Sequence, residues 1–248
     1  MKIFGLTGYP LSHSFSRTFF RNKFQVLGLA DHKYENFPAG NVGKVVRIIT
    51  DNPDLYGLNV TIPLKEKIIR VLNEMDTVAE KIQAVNTIKI ERVKTGVKLT
   101  GFNTDAHAFT KSIISVINKS HDHALILGTG GAAKAVGYSL TNLGIKYLSV
   151  SRTHVSQSVI SYNALIPEII QKYKLIINAT PVGMFPDVDH CPDIPYKYIG
   201  KEHLLFDLIY NPGETLFIKN GKARGAQTMN GIEMLYLQAE ESWKIWNA

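Results

Sequence analysis

From Asp105 onward, short apolar runs alternate with amphipathic stretches, and that rhythm leaves few folds open. Strands are expected at 124–127, 147–150, 175–178, 204–207 and 226–229. Helices are expected from 105 to 117 and at 132–143, 165–171 and 215–222. A strand that reads as an unbroken apolar run is covered on both faces, and only a crossover, usually helical, brings the chain back to start a parallel neighbour. The alternation therefore predicts a parallel sheet clothed in helices. No helix is readable in 153–163, so one edge of that sheet is expected to be irregular. Residues 181–195, with four prolines and three aspartates, read as a loop of the kind that moves over a site.

Within this half, Gly128-Thr129-Gly130-Gly131-Ala132-Ala133 follows an apolar strand and opens a helix. The first glycine permits the tight turn, and the second lets backbone approach a pyrophosphate. Small Ala132 and Ala133 allow close helix packing while the helix N-terminal N–H groups face the anion. A tight turn without a ligand is the alternative. At the end of the next strand, where a carboxylate would claim the ribose 2′-hydroxyl of NAD, the chain reads Val150-Ser151-Arg152-Thr153. Guanidinium offers a rigid fork of donors that suits a 2′-phosphate, which favours NADP. Otherwise Arg152 is a solvated loop cation.

Residues 1–104 mix strands and helices. Strands are expected at 2–8, 33–37 and 55–61, helices at 42–50 and 64–72, and a hairpin of 86–90 with 97–102 about Lys94-Thr95-Gly96. Ser14 and Ser16 can cap a helix carrying Phe19, Phe20, Phe24 and Leu27 that ends at Gly28. Pro63 suits the start of the 64–72 helix, which puts Lys65 in its first turn. There the positive end of the helix dipole would disfavour the ammonium and prepare it for acid/base work, although most lysines are simply surface groups. Asn59, Thr61 and Lys65 form a compact arc. Asp105 stands where a cleft between two domains would open, and reads either as a site carboxylate or as a helix cap. Ser12 and Ser14 are caps or ligand hydroxyls, and Asn86 and Gln238 are satisfied buried amides or pocket contacts. A last helix, from 231 to about 246, is apolar through Met234, Leu235, Ala239 and Trp243 and is expected to pack on the first domain.

The remaining composition narrows the function. A length of 248 residues suits two ordinary domains, and no run approaches the ~20 apolar residues of a membrane span. The basic opening is too short for a signal peptide, and the single Cys191 fits a reducing compartment, so a cytoplasmic protein is expected. The net charge of +7 is spread without a basic stripe, which argues for small anionic ligands and against nucleic acid. His13 has no metal-ligand spacing around it, and no metal is expected.

These residues, taken in order, resemble the shikimate dehydrogenases of aromatic amino-acid biosynthesis over nearly the whole chain. The matching pieces are Gly8-Tyr9-Pro10-Leu11-Ser12-His13-Ser14, Asn59-Val60-Thr61-Ile62-Pro63-Leu64-Lys65, Ala84-Val85-Asn86-Thr87 and Gly101-Phe102-Asn103-Thr104-Asp105. They continue with the glycine turn, Ser151-Arg152-Thr153, Asn178-Ala179-Thr180-Pro181-Val182-Gly183-Met184 and Asp207-Leu208-Ile209-Tyr210-Asn211-Pro212. Asn230-Gly231, Met234-Leu235 and Gln238-Ala239 complete them.

The resemblance implies an α/β protein with an N-terminal mixed α/β substrate domain, 1–104 with 231–248, and a C-terminal Rossmann-type NADP-binding domain, 105–230. It implies that Lys65 exchanges the proton of the substrate C3 hydroxyl, while Asp105 hydrogen-bonds the neighbouring hydroxyl and holds the lysine. Ser12 and Ser14 would receive the carboxylate, with Asn59, Thr61, Asn86, Tyr210 and Gln238 completing the substrate contacts. Gly128, Gly130, Gly131, Ala132, Ser151, Arg152, Thr153, Thr180, Met184 and Gly231 would hold NADP. Two departures stand out: Ser151 replaces an asparagine common in the family, and His154-Val155-Ser156-Gln157 lacks a second basic residue. The expected activity is reversible reduction of 3-dehydroshikimate to shikimate by a monomer or homodimer. A quinate/shikimate dehydrogenase using NAD and a non-catalytic dinucleotide-binding regulator are the alternatives.

Overall fold

Apolar side chains recur on both faces of two separate sets of strands, and each sheet is packed on both faces. The computed structural model describes residues 1–11, 15–153 and 155–248. The chain divides into two compact units, Met1–Thr104 with Ala239–Ala248, and Asp105–Gln238. Ser12, His13, Ser14 and His154 lie outside the described residues.

The first unit contains β1 (Lys2–Gly8), α1 (Phe15–Val26), β2 (His32–Pro38), α2 (Val42–Asp51), β3 (Leu55–Val60), β4 (Glu74–Met75), α3 (Thr77–Ile82), β5 (Thr87–Val93) and β6 (Gly96–Phe102). Its sheet runs β2-β1-β3-β5-β6-β4. The β1 strand is parallel to β2 and β3, the β5 strand is antiparallel to β3 and β6, and β4 is parallel to β6. On one face Phe4, Phe20, Phe24 and Tyr34 pack with the returning Ala239 and Trp246. On the other, Val45 and Ile49 of α2 meet Leu58, Val60, Leu64, Ile68 and Ile88. Asn41 caps α2 by accepting from the Lys44 N–H at 2.9 Å.

The helix expected at 64–72 is absent. Only a short 3₁₀ segment, Lys67–Val71, forms there. Leu64 and Ile68 are fully buried at the expected helical spacing, but the chain is drawn away at once. Asn73 donates its N–H to the Leu99 carbonyl and accepts the Leu99 N–H on Oδ1, which starts edge strand β4. Lys65 therefore lies in a turn before the 3₁₀ segment, without an α-helix dipole behind it. Neither β4 nor α3 was foreseen from local pattern; the start of α3 is capped by Asp76 accepting from Ala79 N–H at 2.9 Å.

The second unit continues with α4 (Thr104–Ile113), β7 (His123–Leu127), α5 (Gly131–Asn142), β8 (Lys146–Ser151), β9 (Val159–Ser161), α6 (Pro167–Lys172), β10 (Leu175–Asn178), β11 (Leu204–Asp207), α7 (Leu216–Ala223), β12 (Gln227–Met229) and α8 (Ile232–Asn247). All its strands are parallel, in the order β12-β11-β10-β7-β8-β9. Counted from β7 this is the 3-2-1-4-5-6 order of a Rossmann sheet, whose order reverses between β7 and β10.

Alternation within each strand builds two cores. Ala124, Ile126, Leu175, Ile177, Leu204 and Phe206 face Phe109, Val136, Leu140 and Met234, whereas Leu125, Leu127, Ile176 and Leu205 face Ile170, Phe217 and Ile218. The crossover from β8 to the unforeseen β9 contains no helix among its described residues. The α4 helix ends at Ile113, four residues before the expected stop. The final helix is shared: Met234 belongs to a core of the second unit, and Ala239 and Trp246 to one of the first. Among the described residues no helix is long and apolar enough to cross a membrane.

Candidate active site

In the first unit, the sheet sets Asn59, near the end of β3, opposite Thr87 at the start of β5. Val60 N–H donates to the Asn86 carbonyl at 2.7 Å, and Val85 N–H donates to the Lys65 carbonyl at 2.8 Å. The arc of 59–61, Lys65 and Asn86 is thus tied through its backbone. Thr61 and Lys65 are half-buried, whereas Asn59 and Asn86 are buried.

The Asn59 amide donates to Ser242 Oγ at 2.9 Å and Thr87 Oγ1 at 3.2 Å, and accepts from Tyr34 Oη at 2.8 Å. Both amide hydrogens are therefore engaged inside the unit, where Asn59 braces the sheet. The Tyr34 phenol is correspondingly raised by burial. Asn86 donates to Thr104 Oγ1 at 2.9 Å and accepts the Thr104 N–H at 2.8 Å, fixing the residue at which α4 begins. Asp105 then stands one residue inside the first turn of α4, buried, so it is not the helix cap. An anion in that turn faces the favourable end of the dipole. Ser12 and Ser14, expected on the carboxylate, fall outside the described residues.

In the second unit the glycine turn has the shape a pyrophosphate needs. Gly128 adopts φ +110°, and a Cβ there would lie 3.1 Å from Thr180 Cγ2 and 3.2 Å from the Ala179 carbonyl, so only glycine fits without strain. Around Gly130 a Cβ would meet nothing within 4 Å, which leaves open space at the start of α5. Gly130 is the N-cap, with no side chain capping the helix and no acidic residue in its first turn, while Gly131 and Ala132 open the helix. This cradle fits a dinucleotide.

Gly128 N–H donates to the Val150 carbonyl at 2.9 Å, bringing the turn beside the end of β8. There Ser151 is buried, with Thr153 N–H reaching its Oγ at 3.3 Å, and Arg152 and Thr153 are exposed. Thr180 and Met184 lie on the turn after β10. Gly231 is backbone packed on backbone: its N–H donates to the Ile209 carbonyl at 3.0 Å, and a Cβ would collide with the Leu208 carbonyl. Tyr210 is half-buried, its phenol raised by burial, and Gln238 donates to the Leu235 carbonyl at 3.0 Å. Among the described residues no group of three or more His, Cys, Asp or Glu side chains is placed to hold a metal ion.

Sequence reasoning assigned no role to two side chains at the carboxyl ends of β10 and β11. Asn178 and Asp207 are both fully buried, and Asn178 Nδ2 donates to Asp207 Oδ1 at 3.0 Å. Asp207 also accepts from Ile209 N–H at 3.0 Å and Thr215 Oγ1 at 2.6 Å, yet burial still pushes its carboxyl up to about 6. The available signal was a polar residue closing an otherwise wholly apolar strand.

A Rossmann-ordered sheet with a pyrophosphate turn, joined to a mixed α/β unit carrying a polar arc, defines a two-domain dinucleotide-dependent dehydrogenase. Residues 6–88 match the family described as the shikimate dehydrogenase substrate binding domain. The NADP(+) shikimate dehydrogenase of Desulforamulus reducens is 34% identical over 267 residues, covering 99% of this chain and 89% of that protein. A crystal structure of shikimate dehydrogenase 1 from Peptoclostridium difficile superposes with a TM-score of 0.87 at 37% identity, over 100% of this chain and 92% of that one. The Thermus thermophilus shikimate 5-dehydrogenase, solved with NADP(H) and shikimate, gives 0.84 at 29% identity over 99% and 93%. The chain belongs to the shikimate dehydrogenase family.

Proposed function

We propose that this chain catalyses the reversible, NADP-linked reduction of 3-dehydroshikimate to shikimate, a step toward chorismate and the aromatic amino acids. The observation that carries this reading is likeness over the full length to relatives named as NADP(+) shikimate dehydrogenases. Gly128, Gly130, Gly131 and Ala132 would hold the pyrophosphate, and Arg152, with Ser151 and Thr153, the 2′-phosphate. Thr180, Met184 and Gly231 would face the nicotinamide. When bound, the nicotinamide supplies or accepts the hydride at C3.

Lys65 is the acid/base group, giving its proton to the C3 oxygen in reduction and taking it in oxidation. Lys65 is half-buried, in a turn whose backbone is tied to Val85, the residue before Asn86. Asp105 accepts from the neighbouring hydroxyl, an acceptor role an ionised carboxylate fills twice over. Thr61, Asn86, Tyr210 and Gln238 complete the contacts, with Ser12 and Ser14 on the carboxylate. Purified protein assayed with shikimate or quinate against NADP or NAD, by the absorbance of the reduced nicotinamide, tests this. Turnover should be fastest with shikimate and NADP; faster quinate oxidation with NAD, or no turnover with any pair, would reject it.

A further inference from the structure

We propose that Asp207 and Asn178 are positioning residues for the turn at 179–184, with Asp207 dictating which way the Asn178 amide points. This rests on the reading that Thr180 and Met184 face the nicotinamide. The two side chains are direct neighbours in the register of β10 and β11, at the carboxyl ends where a Rossmann sheet meets its ligand.

An ionised carboxylate only accepts, so Asn178 must turn Nδ2 toward Asp207 and Oδ1 away from it. That oxygen then accepts both the Thr180 N–H at 3.1 Å and the Thr180 hydroxyl at 2.6 Å. The other amide hydrogen reaches the Val182 carbonyl at 3.3 Å, and Val182 N–H returns to Thr180 Oγ1 at 3.3 Å. One amide therefore closes the turn from both sides, and a reversed amide would face Thr180 with donors in place of an acceptor.

The same carboxylate reaches beyond the turn. Thr215, which donates to Asp207 Oδ2, caps α7 by accepting from Ile218 N–H at 3.3 Å. Ile209 N–H fixes the chain just before Tyr210. Thr180 in turn lies where any Cβ on Gly128 would touch it, so its placement is shared with the pyrophosphate turn. Desolvation works against the carboxylate here, so stability alone would favour a neutral residue at 207.

Asp207→Asn, Asn178→Asp and the double exchange test this, compared with wild type in binding 2′,5′-ADP, which carries the adenine end alone, and in the emission of bound NADPH. Both single variants should bind 2′,5′-ADP within about twofold of wild type. Their kcat should fall about 10- to 100-fold at unchanged KM for shikimate, because a reacting group displaced by ~1 Å loses that much rate. Their NADPH emission should move toward that of free cofactor. The exchange restores an amide facing a carboxylate, so it should recover several-fold in kcat over the weaker single variant.

Wild-type kcat and emission in both single variants would overturn the proposal. So would a parallel loss of 2′,5′-ADP affinity and melting temperature with no recovery in the exchange, which is the behaviour of a merely structural pair. If Asp207→Asn fails to fold, Thr215→Val reads the same quantities from the other carboxylate oxygen, and unchanged emission there overturns the proposal equally. Wild-type protein that binds neither probe would defeat the cofactor reading itself, before any variant is compared.

Discussion

A single side chain decides the cofactor in this reading. The 2′-phosphate is the only group that separates NADP from NAD, and no carboxylate stands at the end of β8 to claim a free ribose hydroxyl. Losing one charge-assisted contact costs about 1.5 to 3 kcal/mol, so Arg152→Ala should weaken NADP roughly 10- to 150-fold and leave NAD nearly unchanged. Titration calorimetry with both cofactors reads this, and equal losses would show that Arg152 does not read the phosphate. Lys65→Ala should retain the fold and lose about 10² to 10⁴ in kcat, the usual contribution of an acid/base group; near wild-type turnover would end that assignment. The sequence singles out both positions, Arg152 by the strand end it follows and Lys65 by its motif. Local pattern does not show what holds Asn59, whose bonds to Tyr34, Thr87 and Ser242 come from segments distant in sequence.

Whole elements were legible where one local pattern decided them. The apolar runs of β7, β10 and β11 are buried from end to end, so no tertiary context could disguise them. The missing 64–72 helix fails for the opposite reason: Leu64 and Ile68 satisfy helical periodicity, while a partner distant in sequence, Leu99, captures Asn73 and ends the segment. Two-residue β4 depends on similar pairing with β6, and six-residue α3, held by its local Asp76 cap, is too short to carry a readable pattern of its own. The last helix shows how far a close fit can constrain an element. Trp246 donates Nε1–H to the Ile88 carbonyl at 3.0 Å and lies flush against Gly57, where a Cβ would overlap the indole. Gly57→Ala should therefore destabilise the protein by about 1 to 3 kcal/mol, the usual range for overpacking a tight core. A urea midpoint shifted to lower concentration at unchanged slope is the expected result; an unmoved midpoint would mean that the helix end yields freely.

At the scale of the whole molecule, stability against pH should carry the signature of one buried carboxyl. Asp207 titrates at about 6 in the fold against 3.8 for an ordinary aspartate. The folded state therefore holds a proton that the unfolded chain has already released between those values. Stability contributed by the neutral carboxyl is fully present below 3.8 and is lost as pH rises through 6. The separation is about two pH units, or roughly 3 kcal/mol. Direct measurement on the wild type would mix this with the growing positive charge of a chain already at +7, which repels itself as its other carboxylates protonate. Subtracting a variant removes that background. Asp207→Asn is neutral throughout, so the unfolding free energy of wild type minus variant should fall by about 2.4 kcal/mol between pH 4 and 7, chiefly below pH 6.5. Urea unfolding of both proteins across that range supplies the difference. A constant difference would mean that the bonds from Thr215, Ile209 and Asn178 already offset the desolvation and hold the carboxyl near its ordinary value.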